Sequence, residues 1–441
     1  MSDYRIRRNR SALSSGSLFN GNRRSSWLMP LLVANAFVLA FAGLIAWQFP
    51  EAQKIALNAI GSAPTATPNA VEYAQRGDRA YWRGNLDQAV MNYREAVKER
   101  PDDVGIIFEL GRMLIFHSYE DRRNEGEREE ALELADQAIN ADPQNARGYT
   151  LRCYAQTELE NYEGAVRDCL QALDFNGQDA EAHSFLARAY EGSGRYTESV
   201  DEALKAVQIN PQSIEANITY GDLLMTRKQY DLALNYYEQA MKINPQLSQP
   251  YYNLAALYRV MANTLGENEL LEKAISYYNA VLSSNRRSIK AYIRLCQTYM
   301  QTGQFNLAKD NCTTATTLDA DSTEAWRFLG EVLYRTRNYD DAIKAFVQCS
   351  DREKELPPGD RQWQCWAYQA LSHERMQRCS EAYPLLYDLL IWSESADATR
   401  LANTGLDLCG GTAPTPRSDG TTPTPITPAL LPTVPGSTIQ G

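Results

Sequence analysis

Between residues 214 and 247 the chain reads IEANITYGDLLMTRKQYDLALNYYEQAMKINPQL, and the spacing of small, aromatic and proline residues in this stretch returns along the chain at a fixed interval of 34. Tyr220, Gly221 and Leu224 share one face of a first helix. Ala233, Tyr237 and Ala240 share one face of a second, which Asn244-Pro245 stops, because proline donates no backbone N–H and clashes with the preceding turn. Neither helix of such a hairpin buries its apolar stripe alone. Each hairpin must therefore pack on the next, and only an array makes a continuous core.

Trp326, Leu329, Gly330, Leu333, Ala342 and Phe346 follow the same spacing, as do Tyr251, Leu254, Ala255, Tyr258, Ala274 and Tyr278, and His183, Leu186, Ala187, Tyr190, Ser199, Ala203 and Pro211. Tyr73, Gly77, Ala89, Tyr93 and Pro101 open the series. This pattern resembles the tetratricopeptide repeat (TPR) family. Repeats begin near residues 70, 104, 146, 180, 214, 248, 289 and 323, with a degenerate ninth near 363. The resemblance implies an all-α, right-handed superhelix of about nine hairpins over residues 70–395, closed by a capping helix over 396–409.

The first 26 residues hold six arginines and one acid, a local excess of +5, so with −11 overall the remainder carries −16. No charge occurs from Ser25 to Pro50, and the 23 residues from Trp27 to Phe49 are long enough to span a bilayer as a helix, with Trp27 and Trp47 where interfacial aromatics belong. The arginine excess puts a basic N-terminus (1–26) in the cytoplasm and everything after Glu51 outside, so 27–49 reads as a signal anchor in a bacterial-type envelope. A signal peptide cleaved at Ala40-Phe41-Ala42 is the alternative, against which the apolar run continues to Phe49. Residues 50–69 read as a Pro/Thr/Ala stalk. Residues 410–441, with seven prolines and eight threonines, read as a disordered tail.

Two repeats exceed the frame: the second, 104 to 145, by eight residues and the sixth, 248 to 288, by seven. Seven or eight residues are about two helical turns, so each insertion is expected to lengthen both helices of its hairpin by one turn and to protrude at an edge. The charged stretch from Glu120 to Glu130 then reads as a solvated extension.

Eight cysteines are present. Cys153 and Cys169 occupy frame positions 8 and 24, and Cys296 and Cys312 occupy the same positions four repeats later. These positions face each other across one hairpin, so a disulfide there would clamp it. A buried thiol acting as a small hydrophobe explains position 8 but not why position 24, usually aromatic, shrinks in the same two repeats. Cys349 and Cys365 fall on adjacent packed helices, and Cys379 and Cys409 fall where the capping helix returns to the last hairpin. An even count with every member paired fits an oxidising compartment.

The three histidines are dispersed, and no metal-ligand, nucleophile-elbow or phosphate-loop pattern occurs. No enzyme, cofactor or metal is expected, and a charge of −16 disfavours nucleic acid. The family resemblance implies a concave groove lined by the first helix of each hairpin, holding a peptide or a partner's helix. Frame positions 2, 5, 9, 12 and 13 put Tyr81, Trp82, Phe108, Arg112, Ile115, Phe116, Tyr154, Arg188, Tyr252, Arg259 and Tyr334 there, with Asp222, Met225, Arg327, Glu331 and Arg335. Tyr81 and Trp82 have a second reading, as packing beneath the stalk. The lysine and asparagine of a chaperone-type carboxylate clamp occur together in no repeat. The expected function is a membrane-anchored extracytoplasmic scaffold for other proteins; the alternative is a non-catalytic binder of envelope glycan or wall polymer.

Overall fold

The computed structural model describes residues 69–120 and 124–410. The basic N-terminus, the 27–49 run, the stalk before residue 69 and the tail beyond residue 410 lie outside the described residues. Among the described residues, no helix is long and apolar enough to cross a membrane.

Nineteen α-helices follow one another there, all joined as antiparallel neighbours. The first four hairpins are α1 (Ala70–Trp82) with α2 (Leu86–Glu99), α3 (Val104–Ser118) with α4 (Glu127–Ala141), α5 (Ala146–Glu158) with α6 (Tyr162–Phe175), and α7 (Ala180–Gly192) with α8 (Tyr196–Ile209). Next come α9 (Ile214–Thr226) with α10 (Tyr230–Ile243), α11 (Ser248–Leu265) with α12 (Glu269–Ser284), and α13 (Ile289–Gln301) with α14 (Phe305–Leu318). The last are α15 (Thr323–Arg335) with α16 (Tyr339–Glu353), α17 (Gln364–Arg375) with α18 (Cys379–Trp392), and the single helix α19 (Ala396–Leu408).

Local chemistry recurs with the frame. The first helix of most hairpins starts at a side chain that accepts from its own first-turn amides: Asn69, Asp103, Asn145, Asp179, Ser213, Ser288 and Ser322. The second helix ends at Asp142, Asn176, Asn210, Asn244, Asn285 or Asp319, whose side chain accepts from the amide two residues on and so turns the chain into the next repeat. Between the two helices one residue is left-handed, Gly84, Gly194 and Gly303 in three repeats but Glu160, Lys228 and Arg337 in three others.

Packing across each hairpin is reciprocal in size. A Cβ built on Gly77 would lie 2.5 Å from Tyr93, one on Gly221 2.6 Å from Tyr237, and one on Gly330 2.5 Å from Phe346, so a missing side chain at position 8 makes room for a ring at position 24. In two other repeats a disulfide fills the space between these positions. Cys153 is bonded to Cys169 and Cys296 to Cys312, with Cα separations of 5.3 and 5.4 Å, and all four are fully buried. Cys349–Cys365 ties α16 to the start of α17, and Cys379–Cys409 ties α18 to the end of α19. These are the four pairs expected from spacing, and no described cysteine is free. Each loop of about 15 residues closed in this way contributes roughly 3 kcal/mol in the chain-entropy model.

The insertions differ from expectation. In the sixth repeat α11 has 18 residues against 13 in α9, and α12 has 16 against 14 in α10, so most of the extra length goes into one helix. In the second repeat α3 and α4 have 15 residues each, and the insertion is spent chiefly on the connection between Ser118 and Glu127. Glu120 does not start the solvated extension read from the sequence; with Tyr119 it turns inward, because the connection supplies an aromatic ring and a carboxylate with partners on other repeats.

Successive first helices also pack on one another, α3 on α5, α5 on α7, α7 on α9, α9 on α11, α13 on α15 and α15 on α17, which puts them on the inner side of the array. That inner side closes on itself. The Asn244 side chain donates to the Tyr81 carbonyl at 3.2 Å, 163 positions away, and Gly84 lies against the backbone of Gln246. One hydrophobic cluster consequently runs from Ala70 to Leu247, which is fully buried.

Candidate functional site: the inner face of the array

Two aromatic and arginine nests occupy the inner face. In the first, Tyr81 and Phe116 approach with ring centroids 6.2 Å apart, and the Arg112 guanidinium lies 5.1 Å from the Tyr81 centroid and 6.0 Å from that of Phe116. Arg112 donates to Glu109 at 2.7 Å and to Glu215, which stands on α9, three repeats away. Burial works against the Arg112 charge, but Glu215 and Glu109 outweigh it and hold the guanidinium protonated.

In the second nest Tyr154 stacks on Phe185 with centroids 3.9 Å apart and planes 5° apart, and the Arg188 guanidinium lies 5.9 Å from Tyr154. Arg188 pairs with Glu158 at 2.7 Å and donates to the Tyr119 hydroxyl at 3.1 Å, while that hydroxyl donates to Glu158. Further along, Tyr252 shares a 2.7 Å hydrogen bond with Ser288, and the Lys290 ammonium lies 4.4 Å from its ring centroid. Lys290 also donates to the carbonyl of Tyr119, and Ser248 donates to Glu120. Burial lowers the Lys290 ammonium below its ordinary pKa.

Carboxylates outnumber cations here. Burial, then Glu215, raises the Glu181 carboxyl. Asp222 is pushed up to about 6 by burial, although the Tyr237 hydroxyl and the Asn253 amide, at 3.0 Å, both donate to the same carboxylate oxygen. Between these groups a cavity of about 210 Å3 remains, bordered by Tyr119, Tyr154, Phe185, Arg188, Asp222 and Gln249.

The expected open groove is therefore largely filled by the chain itself. Tyr81, Phe108, Ile115, Phe116, Tyr154 and Tyr252 are buried, not displayed: adjacent repeats cover Phe108 and Tyr154, and the array curls until the first two repeats touch the fifth to seventh. Phe108 lies beneath the Arg147 guanidinium, 5.5 Å from its ring centroid. Trp82 stays 52% exposed beside Tyr81, which packs on Phe116; the stalk that the second reading sets over them lies outside the described residues. Arg259 reaches Gln301 at 3.4 Å, and Tyr334 packs on Tyr339 and Tyr368 in a separate part of the inner face. Glu181, Glu215 and Lys290, absent from the sequence-derived set, all sit at frame position 2, one of the inner positions, so the frame itself held the signal. Tyr119 and Glu120 belong to no frame position and carried none.

Parts of the chain are similar to known families and solved structures. A family model described as anaphase-promoting complex, cyclosome, subunit 3 matches residues 267–349. Among solved structures, the chain is similar to the crystal structure of the APC/C hetero-tetramer Cut9–Hcn1 at 16% identity over 76% of each chain, with a TM-score of 0.46. It is similar to a tetratricopeptide repeat protein from Parabacteroides merdae at 19% identity over 60% of this chain and 98% of that one, TM-score 0.38. It is also similar to TTC0263, a thermophilic TPR protein in Thermus thermophilus, at 19% identity over 43% and 98%, TM-score 0.35. No curated protein matches. Two tetratricopeptide repeat models match residues 158–214 and 214–247, the second with the same bounds as the stretch that sets the frame; the chain carries tetratricopeptide repeats.

Proposed function

We propose that this chain is an envelope scaffold, anchored by its 27–49 run with the repeats outside the cytoplasm, which binds another protein at the inner face of the array. The observation that carries the binding reading is the concentration of aromatic and arginine side chains on that face around a remaining cavity, since these types bury large area at small entropic cost and still hydrogen-bond. Support for the compartment comes from the disulfides, which use all eight cysteines and persist where thiols are oxidised.

The partner-facing groups in this reading are those left accessible: Trp82 at the rim of the first turn, and Arg259 and Tyr334 further along. Chemical cross-linking of the full chain in its native membrane, followed by purification of the adduct, tests it. Trp82→Ala should lower adduct yield about tenfold, as loss of an aromatic anchor does, with little change in melting temperature. Leu170→Ala, on an exposed face of α6, should change nothing. Equal losses from both substitutions, or from neither, would overturn the assignment of the inner face. Protease applied outside intact cells should digest the repeats and leave a small N-terminal fragment; full protection, or release of a soluble form beginning near Gly43, would overturn the anchor.

A further inference from the structure

The inward turn of Tyr119 and Glu120 gathers partners that no two neighbouring repeats could supply. The Tyr119 hydroxyl is held by Glu158 on α5 and Arg188 on α7, its carbonyl by Lys290 on α13, and the Glu120 carboxylate by Ser248 on α11. Four first helices from the third, fourth, sixth and seventh repeats thus converge on one dipeptide. Each contact is directional and specific to chemistry: an acceptor and a donor for a phenol, an ammonium for a carbonyl, a hydroxyl for a carboxylate. Core packing of an inserted loop requires none of this, because an apolar residue would fill the same space without needing buried partners.

The site is also larger than its occupant. Beside the Tyr119 ring lies the 210 Å3 cavity, roughly seven waters' worth of space, and the buried side-chain oxygen of Gln249 at its edge has no hydrogen-bond partner. A buried acceptor left unpaired is costly, and a longer occupant carrying a donor would satisfy it. Without Glu120, Lys290 would face the groove with less carboxylate charge near it, since Glu120 is the strongest opposing charge on that ammonium.

We propose that the inner groove between the third and seventh repeats is a receptor for a peptide presenting a tyrosine followed by an acidic residue, and that Tyr119 and Glu120 hold this receptor in cis until such a peptide displaces them. The inference rests on the protein-binding reading of the inner face and adds to it the chemistry of the partner and the device that keeps the site closed.

The probe is a fluorescein-labelled Ser-Tyr-Glu amide, the sequence of residues 118–120, titrated by fluorescence polarisation into the detergent-solubilised full chain. Tyr119→Ala/Glu120→Ala should bind it at least about tenfold more tightly than the unaltered chain, and replacing tyrosine by phenylalanine in the probe should cost about tenfold, because Glu158 and Arg188 then lose their phenol. Adding Arg188→Ala to the double variant should abolish that tyrosine preference. Equal binding by the unaltered chain and the double variant, or indifference to the probe hydroxyl, would overturn the proposal. Should circular dichroism show the double variant unfolded, Tyr119→Phe keeps the ring and frees Glu158 and Arg188; it should raise probe affinity at least threefold, and no rise would be equally fatal. Partner cross-linking that still depends on Trp82 while these results are negative would remove the cis ligand and leave the inner face as the binding surface.

Discussion

Gly84→Ala separates a contact across the array from the ordinary cost of a tight turn. Gly84 has φ +72°, and Gly194 and Gly303 occupy the equivalent turns at +77° and +75°. A side chain in the left-handed region costs about 1 kcal/mol. At Gly194 and Gly303 nothing lies within 4 Å of an added Cβ, so alanine there should cost that amount and no more. At Gly84 the added Cβ would lie 2.0 Å from the Gln246 carbonyl oxygen and 2.7 Å from its carbonyl carbon, backbone atoms that move only if the turn at 244–247 moves. Displacing it gives up the Asn244 hydrogen bond to Tyr81, worth about 1 kcal/mol, and part of the burial of Leu247, worth about 1 kcal/mol more. The expected cost of Gly84→Ala is therefore about 3 kcal/mol, some 2 kcal/mol above the two controls. Urea denaturation followed by circular dichroism measures it, provided the m-value is unchanged. If Gly84→Ala and Gly194→Ala cost the same within about 0.5 kcal/mol, the first repeat does not rest on the fifth, and the inner face is open.

Further substitutions test separate parts of the account. Cys153→Ala/Cys169→Ala should lower stability by about 3 kcal/mol, and Cys153→Gly/Cys169→Tyr, which restores the pairing of Gly221 with Tyr237, should recover about 1 kcal/mol of that; identical stabilities would refute the size reciprocity. Asp222→Asn keeps an oxygen for both donors and should stabilise the protein at pH 7 by about 1 to 2 kcal/mol, less than the full shift implies because the residue is partly exposed. The sign follows from a folded pKa of about 6 against 3.8 unfolded: the protonated carboxyl favours the fold below 3.8, and that contribution is lost as pH rises through 6, so the advantage of asparagine should shrink on acidification from pH 7 to 5. Lys228 is at φ 61°, so Lys228→Val should cost about 2 kcal/mol and Lys228→Gly nothing; equal effects would exclude the left-handed turn.

What repeats was legible and what crosses repeats was not. The helical hairpins and the cysteine pairing express contacts within one hairpin or between neighbours, where a frame of 34 places each side chain. Arg112 and Glu215, or Tyr81 and Asn244, meet only because small rotations between successive repeats accumulate, and the frame does not contain those rotations. Of the side chains read as partner-binding, Tyr81 and Phe116 pack on each other and Tyr154 packs on Phe185, contacts that the frame does not contain. The second-repeat insertion failed for a different reason: eight added residues count equally well as two helical turns or as a loop, and only the partners available to Tyr119 and Glu120 decide between them.

Closure of the inner face can be read directly by replacing Gln246, whose side chain is exposed and within 3.3 Å of a Cβ at position 84, with p-benzoylphenylalanine and irradiating the otherwise unaltered chain. Peptide mapping should recover an intramolecular adduct joining residue 246 to the 81–85 turn at any protein dilution. Absence of that adduct, with cross-links only to neighbouring residues of the same repeats, would contradict the closed array and with it the placement of Tyr119 and Glu120 in the groove.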